Sequence, residues 1–170
     1  MIELNNIVPE HFSPDSKVWI YQADRLLGIH EVFTADELLQ EFVAGWKSHG
    51  APVQGFATIV FGQFIVIMAD ETATGVSGCS TDSSVHVVKK IEQELKLPFF
   101  NRTLLAFLIN DKVQTLPLNQ VDYALTNGLL HPTTTYFNNL VSTKEQFLTQ
   151  WMQPIHRSWL AAKFNLPAVL

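Results

Sequence analysis

The sequence is short of several things at once. It has one cysteine, so no disulfide can close within the chain and no paired-cysteine metal knuckle is available. Charge is sparse. Only 16% of residues are charged, and the eleven Lys and Arg are scattered. Lys89-Lys90 is the single adjacent basic pair, so the footprint of a nucleic-acid binder is missing. No apolar run approaches the ~20 residues of a membrane span. The opening Met-Ile-Glu-Leu-Asn-Asn has neither the basic nor the apolar region of a signal peptide. A Gly-x-Ser-x-Gly elbow and a Rossmann glycine triplet are also absent. These absences point to a cytoplasmic protein with no membrane span and no nucleic-acid partner.

What is present suits a folded domain. The chain has 170 residues, is 47% hydrophobic and carries a net charge of −5, which allows one sizeable core and argues against disorder. The expected organisation is a surface arm over 1–16, an α+β core over 17–117 and a helical extension over 118–170. Val18–Ala23 is rich in β-formers and reads as the first strand. Thr34 and Glu37 match a capping box for the first helix, with His49-Gly50 as its stop. Gln54–Phe61 and Phe64–Ala69 read as a hairpin about Gly62-Gln63, and the second of these strands is apolar at every position. A second helix is expected from Ser80–Ser83, then strands at Leu104–Ile109 and Val113–Leu116. Beyond these come a short helix at Gln120–Thr126, an irregular tract at Thr133–Val141, and two helices broken by Pro154.

The order β-α-β-β-α-β, with an added fifth strand, is that of a ferredoxin-like split βαβ fold. It predicts one mainly antiparallel sheet of strand order 5-4-1-3-2, with both helices on one face. The continuous apolar strands require a cover for the other face. Two covers fit: the helices after residue 142 folding over it, or a second chain in a face-to-face dimer.

Unusual residues concentrate between Ala69 and Val88. The predicted topology gathers Asp70, Glu71, Cys79–Asp82, His49, Lys17 and Asn110-Asp111 on one rim of the sheet, leaving Asp24, Arg25 and Arg102 on the other. Cys79 at a helix start has the local amides that lower a thiol pKa, and His49 or His86 could act as its base. A small buried cysteine in a tight turn is the plainer use of such a residue. Gly78, Ser80, Thr81 and Asp82 at the helix entrance, beside Asp70 and Glu71, form a candidate ligand-binding set, because glycine-rich entrances can present amides to an anion. A capped helix explains the same residues. No lysine precedes Ser80 or Thr81 as a nucleotide phosphate loop requires. The six histidines show no paired ligand spacing, so no metal and no cofactor is expected. Trp19, Tyr21, Trp151 and Trp159 allow a pocket between sheet and tail, although such residues more often pack cores.

Taken together, Val-Trp-Ile-Tyr-Gln-Ala-Asp-Arg at 18–25, His-Gly-x-Pro at 49–52, Asp-Glu at 70–71, Ser-Gly-Cys-Ser-x-Asp-x-Ser-Val at 77–85, Phe-Asn-Asn-Leu-Val-x-Thr-Lys at 137–144 and Ser-Trp at 158–159 carry a resemblance. They resemble a small family from Bacteroidetes-type bacteria whose members are often labelled "ABC transporter ATPase". The likeness spans nearly the whole chain and departs around Asn127–Tyr136. It implies a bacterial, cytoplasmic, single-domain protein and carries over no catalytic residue. The label itself requires a phosphate loop with a lysine, an acidic metal partner and a signature segment, none of which this sequence has. The residues leave two readings. One is a binding or interaction domain that takes a small molecule, a protein partner or a second copy through the sheet face. The other is a thiol-dependent enzyme using Cys79.

Overall fold

The computed structural model describes residues 2–72 and 78–168, and the side chains of 78–81 lie outside the description. Regular elements run in the order β1 (Lys17–Gln22), α1 (Ile29–Gly45), β2 (Lys47–Ser48), β3 (Ala51–Pro52), β4 (Gln54–Val60), β5 (Phe64–Asp70) and α2 (Gly78–Leu95). They continue through β6 (Leu104–Ile109), β7 (Lys112–Pro117), α3 (Val121–Thr126), β8 (Thr135–Phe137), α4 (Lys144–Gln150), β9 (Met152–Pro154) and α5 (Trp159–Lys163). The α+β class expected from the sequence is observed.

The single sheet of order 5-4-1-3-2 is not. Its strands divide into one sheet ordered β1-β5-β4 and another ordered β7-β6-β8-β9. Three of the four expected strand pairings are kept, β1 with β5, β5 with β4 and β6 with β7. The break falls between β1 and β6, and two competitors cause it. The start of β1 is taken by the segment before α4, where Val18 N–H donates to Ser142 O at 3.0 Å and Lys17 bridges Thr143. The edge of β6 is taken by β8, through Phe107–Tyr136 and Leu108–Thr135.

β5 is buried along its whole length. Its side chains alternate between two cores, as the two-residue period of a strand demands. Ile65, Ile67 and Ala69 pack with Ala35 and Leu39 of α1 and with Val88 and Ile91 of α2. Phe64, Val66 and Met68 pack with Phe137, Phe147 and Trp151 from the C-terminal part and with Val8 and Phe12 from the N-terminal segment. The second face is thus covered from within the chain, in part by the expected helical segment after residue 142 and in part by β8 and the N-terminal segment, which were not expected there. It is not left open for a second copy. Each large apolar side chain buried there contributes about 1.5–3 kcal/mol.

The N-terminal segment is accordingly no surface arm. Val8, Phe12 and Ser16 are buried. The ammonium of Lys144, itself buried, donates to the carbonyls of Pro9, Glu10 and Phe12 at 2.7, 3.1 and 2.8 Å. A buried ammonium is costly unless its three protons are used, and here each has an acceptor.

Local departures from the expected elements have local reasons. α1 starts at Ile29, a turn and a half before the Thr34–Glu37 box. Glu31 accepts from Gly28 N–H at 2.7 Å and pairs with Arg25 at 2.8 and 2.9 Å, so it supplies the N-terminal anchor. These contacts hold the Glu31 carboxyl down at about 2. The helix ends at Gly45, and His49-Gly50, both at positive φ, form the turn between β2 and β3. The irregular tract at 133–141 holds β8, and Met152–Pro154, in the break between the two expected helices, is a strand. At three residues each, both strands are too short for a period to register.

Two substitutions test this packing. Lys144→Met leaves three carbonyls without their donor, and the expected cost is about 1–3 kcal/mol in urea unfolding, with faster amide hydrogen exchange at 4–12. Gly55→Ala places a methyl 2.6 Å from Trp46 Cε3, and Trp46 is held by Phe42 and Trp19. The expected loss is about 1–3 kcal/mol, read from the same unfolding curves.

Candidate functional site

The rim expected to carry the site is assembled in part. At the end of β5, Glu71 pairs with Lys17 at 2.9 Å, as the shared rim requires. The Asp70 carboxylate is buried and accepts from Ser13 N–H at 3.0 Å, Thr72 N–H at 3.0 Å and Thr72 Oγ1 at 2.8 Å. Those bonds fasten the N-terminal segment to the strand end and engage both carboxylate oxygens. Gly78 opens α2; the side chains of Cys79, Ser80 and Thr81 lie outside the described residues. Asp82 and His86, one turn apart and exposed, line a shallow groove on α2 with Glu41, Lys47 and Lys90. His49 sits exposed in the β2–β3 turn. Asn110-Asp111, both at positive φ, turn β6 into β7 in the other sheet, so the sheet break removes the reason for placing them on the β5 rim.

A second concavity lies at the break itself. It is a cleft of about 520 Å³ between the outer edge of β1 and the second sheet. Its walls are mostly apolar: Val18 and Ile20 on one side, Phe100, Leu104, Leu105, Phe137, Leu140 and Val141 on the others. Trp19, Tyr21 and Trp159 also line it, which places three of the four singled-out aromatics at a pocket between sheet and tail. Trp151 is instead fully buried beside it, stacked on Phe147.

A short chain of hydrogen bonds sets the floor. Trp151 Nε1 donates to Asn139 Oδ1 at 2.9 Å, Asn139 Nδ2 to Gln22 Oε1 at 2.9 Å, and Gln22 Nε2 to Leu104 O at 3.1 Å. Each donor orients the next amide, so neither carboxamide can flip without breaking the chain. Each amide nitrogen has spent one of its two protons on these partners.

Two phenols and one guanidinium complete the site. Tyr21 OH lies 2.9 Å from Ser84 Oγ. Burial pushes its pKa up, against the opposing pull of Ser84 and the charge of Arg102. Burial also raises Tyr136, whose oxygen accepts from Trp159 Nε1 at 3.1 Å. Both phenols are therefore neutral at pH 7 and act as hydrogen-bonding groups, not bases. Arg102 is exposed at the cleft mouth and has no acidic partner within 4.0 Å among the described residues. The turn that carries it is closed by Asn101 Oδ1, which accepts from Thr103 N–H at 3.2 Å and Thr103 Oγ1 at 2.8 Å.

Gln22, Arg102 and Asn139 were not legible as site residues. Arg102 falls on the rim opposite the acids in the predicted sheet, and Asn139 lies in a tract read as irregular. An Asn-x-Thr before an apolar strand does signal the turn, but no periodicity says what the turn faces.

Asp70 yields a pH test. Burial acts to raise its carboxyl pKa, but the Thr72 and Ser13 amides, the Thr72 hydroxyl and the charge of His11 together hold it below the usual range. Its contribution to stability is whole above the unfolded value of about 3.9 and is lost as pH falls through the lower folded value. Asp70→Asn should therefore melt below wild type at pH 7, with the difference shrinking below about pH 4; thermal melts across that range check it.

Among known proteins, no family model, no curated protein and no solved structure matches this chain.

Proposed function

We propose that this chain is a binding domain rather than an enzyme, and that its ligand occupies the cleft between β1 and the second sheet. The make-up of the cleft carries the reading. About 520 Å³ falls within the range of pockets that take small molecules, and apolar walls with few directed polar groups are their usual form. Among the described residues that line it there is no histidine and no cysteine, and its lysine, Lys17, is held in an ion pair with Glu71 rather than placed as a base. A ligand suited to it has an apolar body and an acidic or acceptor-rich end. The body meets Ile20, Leu105 and Phe137, and the end meets Arg102 and the remaining amide protons of Gln22 and Asn139. A cytoplasmic setting belongs to the same reading.

Titration with 8-anilinonaphthalene-1-sulfonate tests it, since that probe joins an apolar ring system to an anion. Saturable one-to-one binding is expected, with energy transfer from Trp19 and Trp159. Arg102→Glu should weaken it by about tenfold or more while near-ultraviolet circular dichroism stays unchanged. Absence of saturable binding, or equal affinity in the variant, rejects the assignment of the cleft.

A further inference from the structure

We infer that the cleft receives an extended peptide, laid as a strand along the outer edge of β1 with its C-terminal carboxylate at Arg102. This deepens the binding reading above and rests on it. The first observation is which residues line the cavity. Every residue from Val18 to Gln22 does so. Side chains of a strand alternate between faces, so consecutive residues share one cavity only when it runs along the strand's edge.

That edge is open. Val18 N–H points away from β5, onto Ser142 O, which sets the phase of the strand: the backbone groups of Val18, Ile20 and Gln22 face outward, and those of Trp19 and Tyr21 face β5. Val18 C=O, Ile20 N–H, Ile20 C=O and Gln22 N–H thus face the cleft, and none has a partner among the described residues. An unpaired row of this kind is a template for strand addition.

The slot is at most one strand wide at its Gln22 end, where the Gln22 carboxamide donates to Leu104 O at 3.1 Å and accepts from Asn139 Nδ2 at 2.9 Å. A glutamine side chain plus one hydrogen bond reaches no further than about two strand spacings, ~10 Å, which limits the slot to no more than one added strand. Arg102 lies at this same end, two residues before Leu104 and near enough for its charge to act on Tyr21. A C-terminal carboxylate there would meet a guanidinium that has no acidic partner among the described residues. A peptide so placed runs parallel to β1.

Selection from a display library of random heptapeptides with free C-termini tests this, followed by calorimetry with the selected peptides. Binding is expected to weaken about tenfold or more when the peptide's C-terminus is amidated, and again when alternate peptide amides are N-methylated. Ile20→Pro removes one outward N–H and leaves the bonds to β5 in place. It should lose the peptide while still binding anilinonaphthalenesulfonate. Where that variant fails to fold, the N-methyl series on the native protein decides. Failure to select any peptide, with the sulfonate still bound, overturns the strand-addition inference and leaves the cleft reading standing. Equal affinity for N-methylated peptides also overturns it. Loss of both ligands in the native protein rejects the cleft itself.

Discussion

The structure depends on the burial of β5 from both sides. Its side chains alternate between a helix-backed core and an aromatic core. Neither core can form without its share of the strand. The aromatic side draws on distant parts of the chain: Val8 and Phe12 near one end, Phe137, Phe147 and Trp151 toward the other. One fully apolar strand therefore ties the two chain ends to the middle, through contacts of large sequence separation. Such contacts cost more loop-closure entropy than local ones. The aromatic rings that repay it are large and closely spaced, with Phe64 to Phe137 centroids at 4.8 Å and Phe64 to Trp151 at 5.1 Å.

The cleft follows from that arrangement. To cover β5, the C-terminal segment must cross the start of β1, where Ser142 and Thr143 take the first edge positions. β8 then pairs with β6. Little is left to pair with the rest of β1. The two sheets are held together at that point by the carboxamides of Gln22 and Asn139, anchored on the indole of Trp151. A side-chain amide has the same donor and acceptor as a backbone amide but spans a wider gap, so the sheets are linked without being joined. The opening between them is a consequence of covering the core, and its polar floor is the linkage itself.

The acidic rim shows how one group can serve structure in place of binding. Asp70 stands where two acids end an apolar strand, the sort of position that draws notice in a sequence. Its oxygens are engaged by Ser13 and Thr72, and together with the Lys144 ammonium they secure the N-terminal segment. Arg102, in a common Asn-x-Thr turn, is less conspicuous in the sequence and is the cation that remains open at the cleft.

Much of the architecture was legible in the residues. The all-apolar run from Phe64 to Ala69 announced a strand covered on both faces, since a strand wetted on one side must alternate. The hairpins at 54–70 and 104–117 and the helix over 78–95 followed from period and punctuation, and their neighbours in the sheets were assigned correctly wherever the connection was short. Tertiary structure decided the rest. β8 and β9 exist because partners on other strands hold them, and three-residue segments have no period of their own. Whether β6 or the Ser142–Thr143 segment would take the edge of β1 was a competition between two pairings that local propensity ranks alike. Long-range burial of Phe137, Phe147 and Trp151 settled it, and with it the place of the cleft.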